Sequence, residues 1–217
     1  MGAAGAMAYA FLPIAYRFSE LAPAMSEATA RWHHDVVHGG YLAEINRLIG
    51  PFPDLDRRSV EELMVEPDAI PADIREDVRF AAGGHGNHQF TWKILGPRRD
   101  TAPSGIFAAK IDQTFGSFAK FTDAFKRVAL GLDGDGWAFL SLSAPRTAAL
   151  EIVVTRGNDN VLELRKPGIV VCDLWEHAYH DDHRGDREAW IDAYLKVVDW
   201  SVCSDRYERL SAGQPAP

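Results

Sequence analysis

The sequence predicts an α+β fold: an N-terminal antiparallel helical hairpin, followed by a C-terminal domain with a three-stranded antiparallel sheet and surrounding helices. Two observations support this class. The first half of the chain carries two long helical patterns separated by a proline-rich stretch. The second half carries three short apolar or β-branched runs separated by turn residues. At 217 residues, the chain is long enough to bury a sizeable core in one large domain or two small ones.

The hairpin is predicted from two helices. Ser26 can cap a first helix over residues 26–49, which a Gly-Pro pair then stops. Residues 51–71 contain four prolines and form the predicted connection. A second helix is expected over residues 72–95. The adjacent pair Gly83-Gly84 in its middle costs about 1 kcal/mol per glycine relative to alanine, which indicates that a bulky group approaches closely there.

The C-terminal domain follows a boundary that we place at residues 98–105, where charge, proline and glycine concentrate. Its predicted elements are a helix at 116–130, strands at 137–143, 149–155 and 168–174, and closing helices at 187–198 and 204–210. The two domains are therefore expected over 12–97 and 104–210, with flexible ends at 1–11 and 211–217.

Composition excludes several functional classes. The formal net charge of −8 argues against a nucleic-acid partner, because such proteins usually carry basic patches. No apolar run approaches the length of about 18 residues that a membrane-spanning helix needs. The two cysteines, Cys172 and Cys203, make no disulfide framework, and reduced thiols in a cytoplasmic protein are expected. Cys172 follows a run typical of a core strand, so a structural role is predicted for it.

The segment Asp173-Leu174-Trp175-Glu176-His177-Ala178-Tyr179 is the most informative in the chain. Its carboxylate and imidazole, four residues apart, can converge on one point where a strand end turns into a helix. Two further histidines lie in similarly unusual surroundings, His33 after Trp32 and His88 in the sequence Gly-Gly-His-Gly-Asn-His. Three imidazoles and one carboxylate suit a redox-active metal such as Mn or Fe better than a structural zinc, which favours thiolates.

The remaining histidines of the two helices admit another interpretation. His34 and His38 are four residues apart and would by themselves be a reasonable metal pair. No carboxylate pattern accompanies them, so packing or hydrogen-bonding roles are expected. His85 is likewise expected to be a partner or packing residue.

With these motifs in their order, the chain resembles the iron/manganese superoxide dismutase family. The resemblance covers most of the sequence and includes Phe115-Gly116-Ser117, the run Gly-Asp-Gly-Trp-Ala-Phe-Leu at 134–140, and the Asp-x-Trp-Glu-His-Ala-Tyr motif. It implies one Mn or Fe ion per subunit, superoxide as substrate and a homodimer.

The resemblance also implies roles for individual residues. The family's metal ligands fall on His33, His88, Asp173 and His177. Its tyrosine near the metal falls on Tyr41, and its glutamate that reaches the partner subunit's ligand histidine falls on Glu176. The aromatic walls of its pocket fall on Trp92, Trp137 and Trp175.

Several positions depart from the family pattern. A histidine usually guards the channel four residues after the first ligand, and here that residue is Val37. Its usual cross-dimer tyrosine partner is replaced by His180. The pocket glutamine falls on Asn158, with Asn160 as an alternative. Gly84 stands where manganese members tend to have glycine and iron members glutamine, which favours Mn.

Three hypotheses about function follow. The first is superoxide dismutation. The second is a repurposed Fe or Mn oxidase or oxygenase, because Val37 could admit a larger and more apolar substrate. The third is a non-catalytic homologue that keeps its metal for stability or partner binding. For an anionic substrate, Lys93, Arg184 and Arg187 lie near the ligand segments in sequence and are expected to form a positive funnel.

Overall fold

A computed structural model describes residues 9–97, 101–145 and 147–215. The N-terminal part begins with a 3₁₀ turn and contains one long helix in three sections, a short helix, and a second long helix. These elements are Phe18–Leu21 (3₁₀), α1 (Glu27–Trp32), a π-helical segment (His33–His38), α2 (Gly39–Ile49), α3 (Val60–Val65), a 3₁₀ turn (Pro67–Ala69) and α4 (Arg75–Ile94).

The C-terminal part contains two helices, three strands and then three more helices. These are α5 (Gly105–Phe115), α6 (Phe118–Leu130), β1 (Gly136–Leu142), β2 (Leu150–Arg156), β3 (Gly168–Asp173), a 3₁₀ turn (Glu176–Ala178), α7 (His180–His183), α8 (Arg187–Tyr194) and α9 (Trp200–Ser211). The predicted α+β class, with helical hairpin and three-stranded antiparallel sheet, is confirmed.

The first long helix begins as its sequence predicts, because the Ser26 side chain accepts a hydrogen bond from Thr29 N at 3.2 Å. It differs from the prediction in its middle, where the π-helical segment shifts the helical phase. His33 and His38, five residues apart, both point into the interior, with 0% and 1% exposure. Val37, four residues after the buried His33, is only half-buried.

The sheet has the order β2-β1-β3 with both pairings antiparallel. All residues of β1 and β3 are buried, because β1 is central and helices cover the sheet. Trp137 at the start of β1 pairs with Asp173 at the end of β3. Trp137 and Asp173 therefore lie side by side at the end of the sheet that faces the hairpin.

A short backbone bridge joins the end of α4 to the C-terminal domain. Leu95 and Val198 form an isolated antiparallel bridge, in which Asp199 N donates to Ile94 O at 2.8 Å and Gly96 N donates to Val197 O at 3.0 Å. A large core runs through the C-terminal domain and includes Trp92, whereas a smaller core lies inside the hairpin. The backbone bridge and the shared packing of Trp92 therefore hold the hairpin against the C-terminal domain.

Several boundaries differ from the sequence predictions. The helix expected over 116–130 is preceded by the separate helix α5, which the sequence reading missed; the two are divided at Gly116, whose φ of 93° ends α5. The helix expected over 187–198 ends at Tyr194, because the following residues turn to reach Leu95.

Parts of the predicted ends and boundary lie outside the described residues, namely 1–8, 98–100 and 216–217. Within the described part of the first end, Tyr9 is anchored: its hydroxyl donates to Arg58 O at 2.7 Å and its N–H to Asn46 Oδ1 at 3.0 Å. No helix in the described ranges has the length and apolar character that crossing a membrane requires.

Candidate metal centre

Four side chains from four separate elements meet between the hairpin and the sheet. His33 comes from the π-helical segment, His88 from α4, Asp173 from the end of β3 and His177 from the 3₁₀ turn that follows. One nitrogen or oxygen of each lies within 4.8 Å of the others. His33, His88 and Asp173 are fully buried, and the His177 side chain is 15% exposed.

Asp173 Oδ2 is the point on which the imidazoles converge. His177 Nε2 lies 3.1 Å from it, and His88 Nε2 lies 3.7 Å away. His33 Nε2 also lies 3.1 Å from this oxygen, in a geometry that forms no hydrogen bond. His33 Nε2 and His88 Nε2 are thus buried nitrogens without a hydrogen-bond partner among the described residues. Buried polar atoms are rarely left in this state, and a cation between them would use their lone pairs.

Hydrogen bonds fix the orientation of two members of the set. His88 Nδ1–H donates to Gly84 O at 2.6 Å, so the proton of the neutral ring lies on Nδ1 and the Nε2 lone pair faces the centre. Asp173 Oδ1 accepts from Trp175 N at 2.9 Å, which leaves Oδ2 for the imidazoles. The indole of Trp190, a residue that the sequence reading did not single out, donates to the Asp173 carbonyl at 2.7 Å.

The charge states also suit a cation. Burial lowers the pKa of His33, and burial together with the nearby His33 lowers the pKa of His88 to about 3, so both rings are neutral at physiological pH. Burial alone would raise the pKa of Asp173, but the neighbouring His177 and His33 outweigh it and lower that pKa below its usual range. The centre therefore offers neutral imidazoles and one carboxylate, which are the protonation states that metal binding requires.

Two family models match nearly the whole chain. The model of the alpha-hairpin domain of iron/manganese superoxide dismutases matches residues 8–96, and the model of their C-terminal domain matches residues 103–206. The chain belongs to the iron/manganese superoxide dismutase family.

Curated relatives of this family match along nearly the whole chain. "Superoxide dismutase [Mn]" of Listeria innocua is 34% identical over 202 residues, covering 93% of this chain and 98% of the relative. The protein of the same name from Listeria monocytogenes is 33% identical over the same shares. "Superoxide dismutase [Mn] 1" of Leptolyngbya boryana is 35% identical over 198 residues, covering 90% of this chain and 79% of the relative.

The three tryptophans expected to line the family's pocket each contact a different histidine of the cluster. The ring of Trp92 lies 5.2 Å from that of His33, and the ring of Trp137 lies 5.0 Å from that of His88, both edge to face. Trp175 stacks on His177 with centroids 5.7 Å apart and donates its indole N–H to Gly157 O. These contacts shield the histidines from water.

Asn158 lies in the hydrogen-bond network beside the cluster. Trp137 Nε1 donates to its Oδ1 at 3.4 Å, and the Asn158 side chain lies near enough to the Tyr41 hydroxyl to act on the pKa of that group. The ring centroid of Tyr41 lies 5.4 Å from that of His88. The alternative, Asn160, instead donates to Asn87 Oδ1 at 2.5 Å. Of the two asparagines, Asn158 is therefore the one that contacts Tyr41.

The paired glycines of α4 allow this network to form. A Cβ on Gly83 would lie 2.0 Å from Asn158 O, and a Cβ on Gly84 would lie 2.5 Å from the ring of Tyr41. Both distances are far below van der Waals contact, so the close approach predicted from the sequence is confirmed. Asn87, which the sequence reading missed, donates to Asn158 O at 3.2 Å from one turn further along α4.

Among the positions that depart from the family pattern, Asn158 is buried, Val37 is half-buried and His180 is exposed. Val37 and Tyr41 line an open pocket of 380 Å³ together with Phe80 and two acids, Glu44 and Asp77. Glu176 and His180 are exposed.

Lys93, Arg184 and Arg187 do not come together to form the predicted positive funnel. The Arg187 guanidinium is engaged by the protein, because Nε donates to Tyr179 OH and Nη1 to Leu132 O at 3.0 and 2.9 Å. Lys93 lines a different cavity, on the face of α4 away from His88. Arg184 is exposed and has a left-handed backbone, with φ of 55°.

The other histidines have the packing roles expected for them. Trp92 Nε1 donates to His38 Nδ1 at 3.2 Å, so neutral His38 carries its proton on Nε2 and donates it to His85 Nδ1 at 2.8 Å. His34 stacks on Phe11 with centroids 4.2 Å apart. Cys172 is fully buried in β3 and lies outside the four-residue cluster, in agreement with a structural role.

Proposed function

We propose that this chain is a superoxide dismutase that converts superoxide to O₂ and H₂O₂ at a mononuclear Mn or Fe centre held by His33, His88, Asp173 and His177. The observation that carries the proposal is the buried set of imidazoles around one carboxylate oxygen, with nitrogen lone pairs that no described residue uses. A bound Mn or Fe ion supplies reversible one-electron exchange, so that one superoxide is oxidised to O₂ and a second, with two protons, is reduced to H₂O₂.

The protein's contribution begins with the donor set. Neutral rings of His33 and His88 are ready to bind without first losing a proton, and the fixed carboxylate of Asp173 supplies negative charge in a site that excludes water. The surrounding tryptophans keep the local dielectric low, which strengthens the influence of each charge on the metal's potential.

Tyr41 and Asn158 are proposed to hold and relay protons. Burial raises the pKa of Tyr41, although its hydrogen bond to Asn158 lowers it, and the net effect is a rise. The phenol therefore remains protonated at neutral pH and can donate. Asn158 fixes its direction while accepting from Trp137. The family's glutamine is longer by one methylene, so we expect weaker control of the metal's potential and relaxed metal choice in this chain.

We favour Mn slightly over Fe. Gly84 leaves no side chain at the position where iron members of the family tend to place a glutamine, and the curated relatives described above are named as manganese enzymes. Asn158 in place of the usual glutamine weakens this preference.

A two-fold dimer completes the proposal. Glu176 is exposed beside His177 and has an evident use if it accepts a hydrogen bond from the partner subunit's His177. Val37 and His180 replace both halves of one hydrogen bond expected at that interface. The histidine and tyrosine that guard the channel in the family are thus both replaced. Val37 makes the pocket over Tyr41 more apolar than a histidine would.

The test is superoxide dismutation by protein loaded separately with Mn and with Fe, with bound metal quantified in parallel. We expect at least one metal to give rapid turnover at about one ion per chain. Full occupancy with negligible dismutation, or turnover of an added organic substrate through the pocket over Tyr41, would contradict the proposal and favour a repurposed member of the family.

Two variants separate the roles of ligand and channel. Asp173→Ala should lose at least about nine-tenths of its metal, because it removes the carboxylate on which the imidazoles converge. Val37→His should keep its metal and change turnover. Asp112→Ala, which removes an exposed carboxylate on α5, is the matched control. Equal metal loss in Asp173→Ala and Val37→His would refute these assignments.

A further inference from the structure

The loop that carries Asn158 contains no helix or strand of its own. It covers residues 157–167 and connects β2 to β3. Two neutral hydrogen bonds hold Asn158 to α4: its Nδ2 donates to Phe80 O at 3.3 Å, and its carbonyl accepts from Asn87 Nδ2 at 3.2 Å. Both distances lie at or beyond the upper end of the usual range of about 2.7–3.2 Å. These bonds alone therefore hold an irregular loop weakly.

An ion pair ties the rest of the loop to the same helix. Arg79, which precedes Phe80 on α4, donates from Nη2 to Glu163 Oε2, and this Nη2 also lies 3.8 Å from Asp159 Oδ1. The second oxygen of Glu163, Oε1, accepts from Asn160 N at 3.0 Å. One guanidinium on α4 therefore holds both the start and the middle of the loop.

The pair between Arg79 and Glu163 is partly buried. The Glu163 side chain is 16% exposed and the Arg79 side chain 29%. Exposed ion pairs contribute little because water and salt screen them, whereas partly buried pairs are screened much less. The contact between these two residues is therefore of the kind that can fix a loop.

Three carboxylates surround the Arg79 guanidinium. Glu76 Oε1, on α4, lies 3.4 Å from Arg79 Nη1, and the loop supplies Asp159 and Glu163. Burial raises the pKa of Asp159, and the charges of Glu163 and Glu76 raise it further, whereas Arg79 lowers it. The three acids thus repel one another, and Arg79 offsets this repulsion. Without Arg79, the charge on Glu76 would push the acidic loop away from the helix.

We infer that Arg79 is a positioning residue for the metal centre. Its ion pair with Glu163 holds the loop against α4, and this keeps Asn158 beside Trp137, whose Nε1 lies 3.4 Å from Asn158 Oδ1. The inference rests on the proposed function, in which Asn158 helps to relay protons. Arg79 acts through Asn158 and not on the metal ligands, so its loss should leave metal binding intact.

Arg79→Met tests the inference, because it keeps an apolar stem and removes the charge. Bound metal, hydrogen exchange and dismutation are measured on the same Mn-loaded samples. We expect full metal content, and amide exchange in residues 157–165 faster by about tenfold because the loop opens more often. Dismutation per bound metal should fall by about tenfold or more, since displacements near 1 Å at a reacting centre have effects of this order. Arg57→Met, which breaks an exposed ion pair with Asp54, is the matched control and should change none of these quantities.

Two double variants separate positioning from a general loss of stability. Glu163→Gln keeps an oxygen that can accept from Asn160 N but removes the negative charge. Arg79→Met combined with Glu163→Gln should be at least about threefold more active than Arg79→Met alone, because one of the repelling carboxylates is gone. In an Asn158→Ala background, adding Arg79→Met should change turnover per bound metal by less than about twofold, because the residue through which Arg79 acts is absent.

Each contrary result is decisive. Unchanged exchange or unchanged turnover in Arg79→Met would overturn the inference, as would the same loss of turnover with and without Asn158. Metal loss in Arg79→Met would show that Arg79 supports the ligands themselves, which also overturns it. If Arg79→Met fails to fold, Glu163→Gln carries the test: it should speed loop exchange and slow turnover by a smaller factor, and no change would refute the role of the pair.

A failure of the proposed function gives a different result. Negligible dismutation by the fully loaded wild type would overturn that function and, with it, the role of Arg79 in the reaction. An active wild type with an equally active Arg79→Met would overturn the role of Arg79 alone.

Discussion

Gly83→Ala provides a sharp test of how this chain uses an asparagine beside its metal centre. The new Cβ would lie 2.0 Å from Asn158 O, so restoring an ordinary contact of 3.4 Å displaces the Asn158 backbone by about 1.4 Å. That movement lengthens the bonds from Asn87 to Asn158 O, now 3.2 Å, and from Trp137 to Asn158 Oδ1, now 3.4 Å. The contact between Asn158 and Tyr41 is lost with them.

The expected magnitude follows from these bonds. Leaving buried groups without partners costs about 1–3 kcal/mol each, and alanine returns about 1 kcal/mol in helix propensity. With two such bonds weakened, the free energy of unfolding should therefore fall by about 1–5 kcal/mol. Metal content should persist, because the bond from His88 to Gly84 O is untouched. Dismutation per bound metal should fall by about tenfold or more, since displacements near 1 Å at a reacting centre have effects of this order.

The assay combines urea unfolding, metal analysis and dismutation on the same preparation. Gly40→Ala is the matched control, because it lies on exposed α2 surface where a Cβ would meet nothing within 4 Å. It should gain up to about 1 kcal/mol and keep its metal. If Gly83→Ala behaves like Gly40→Ala, the glycine does not position Asn158 and the reasoning fails.

Two further predictions concern pH and assembly. Burial lowers the pKa of His85 from 6.5 to about 4, so the unfolded chain binds more protons between these values, and stability falls by up to about 3 kcal/mol as pH drops through that window. The slope of unfolding free energy against pH should thus be smaller in His85→Gln than in the wild type. His180→Gln, which changes an exposed histidine, is the control and should keep the wild-type slope. An unchanged slope in His85→Gln would contradict the conclusion that the His85 imidazole is buried in its neutral form. Glu176→Ala should shift sedimentation velocity profiles from dimer towards monomer at micromolar concentrations, whereas Asp181→Ala should not; a monomeric wild type would remove the proposed role of Glu176.

The sequence was sufficient for the fold class and for the residues that meet between the domains, because side-chain chemistry and order along the chain are both visible in it. It was not sufficient for the phase of the first helix. The π-helical segment at His33–His38 has no compositional signature, and it alone decides that His38 turns inward while Val37 stays half-buried.

Long-range contacts explain the other differences. Lys93 was expected near an anion funnel, but its position on α4 takes it to the cavity with Arg206, a residue far away in sequence. Arg187 was expected at the same funnel, and its guanidinium instead holds the carbonyls of Leu132 and Gly134. Such pairings depend on which face of one element meets another, and a single sequence carries little information about that.

The complete burial of His33, His88 and Asp173 has a consequence for metal exchange. These residues belong to the hairpin and to the end of the sheet, and none of them is reached by solvent. We expect an ion held there to exchange mainly when the two parts separate, which is a subglobal opening whose rate depends on the packing between them. A metal incorporated while the chain folds should therefore persist, so that metal identity in the mature protein would reflect the supply of ions during synthesis.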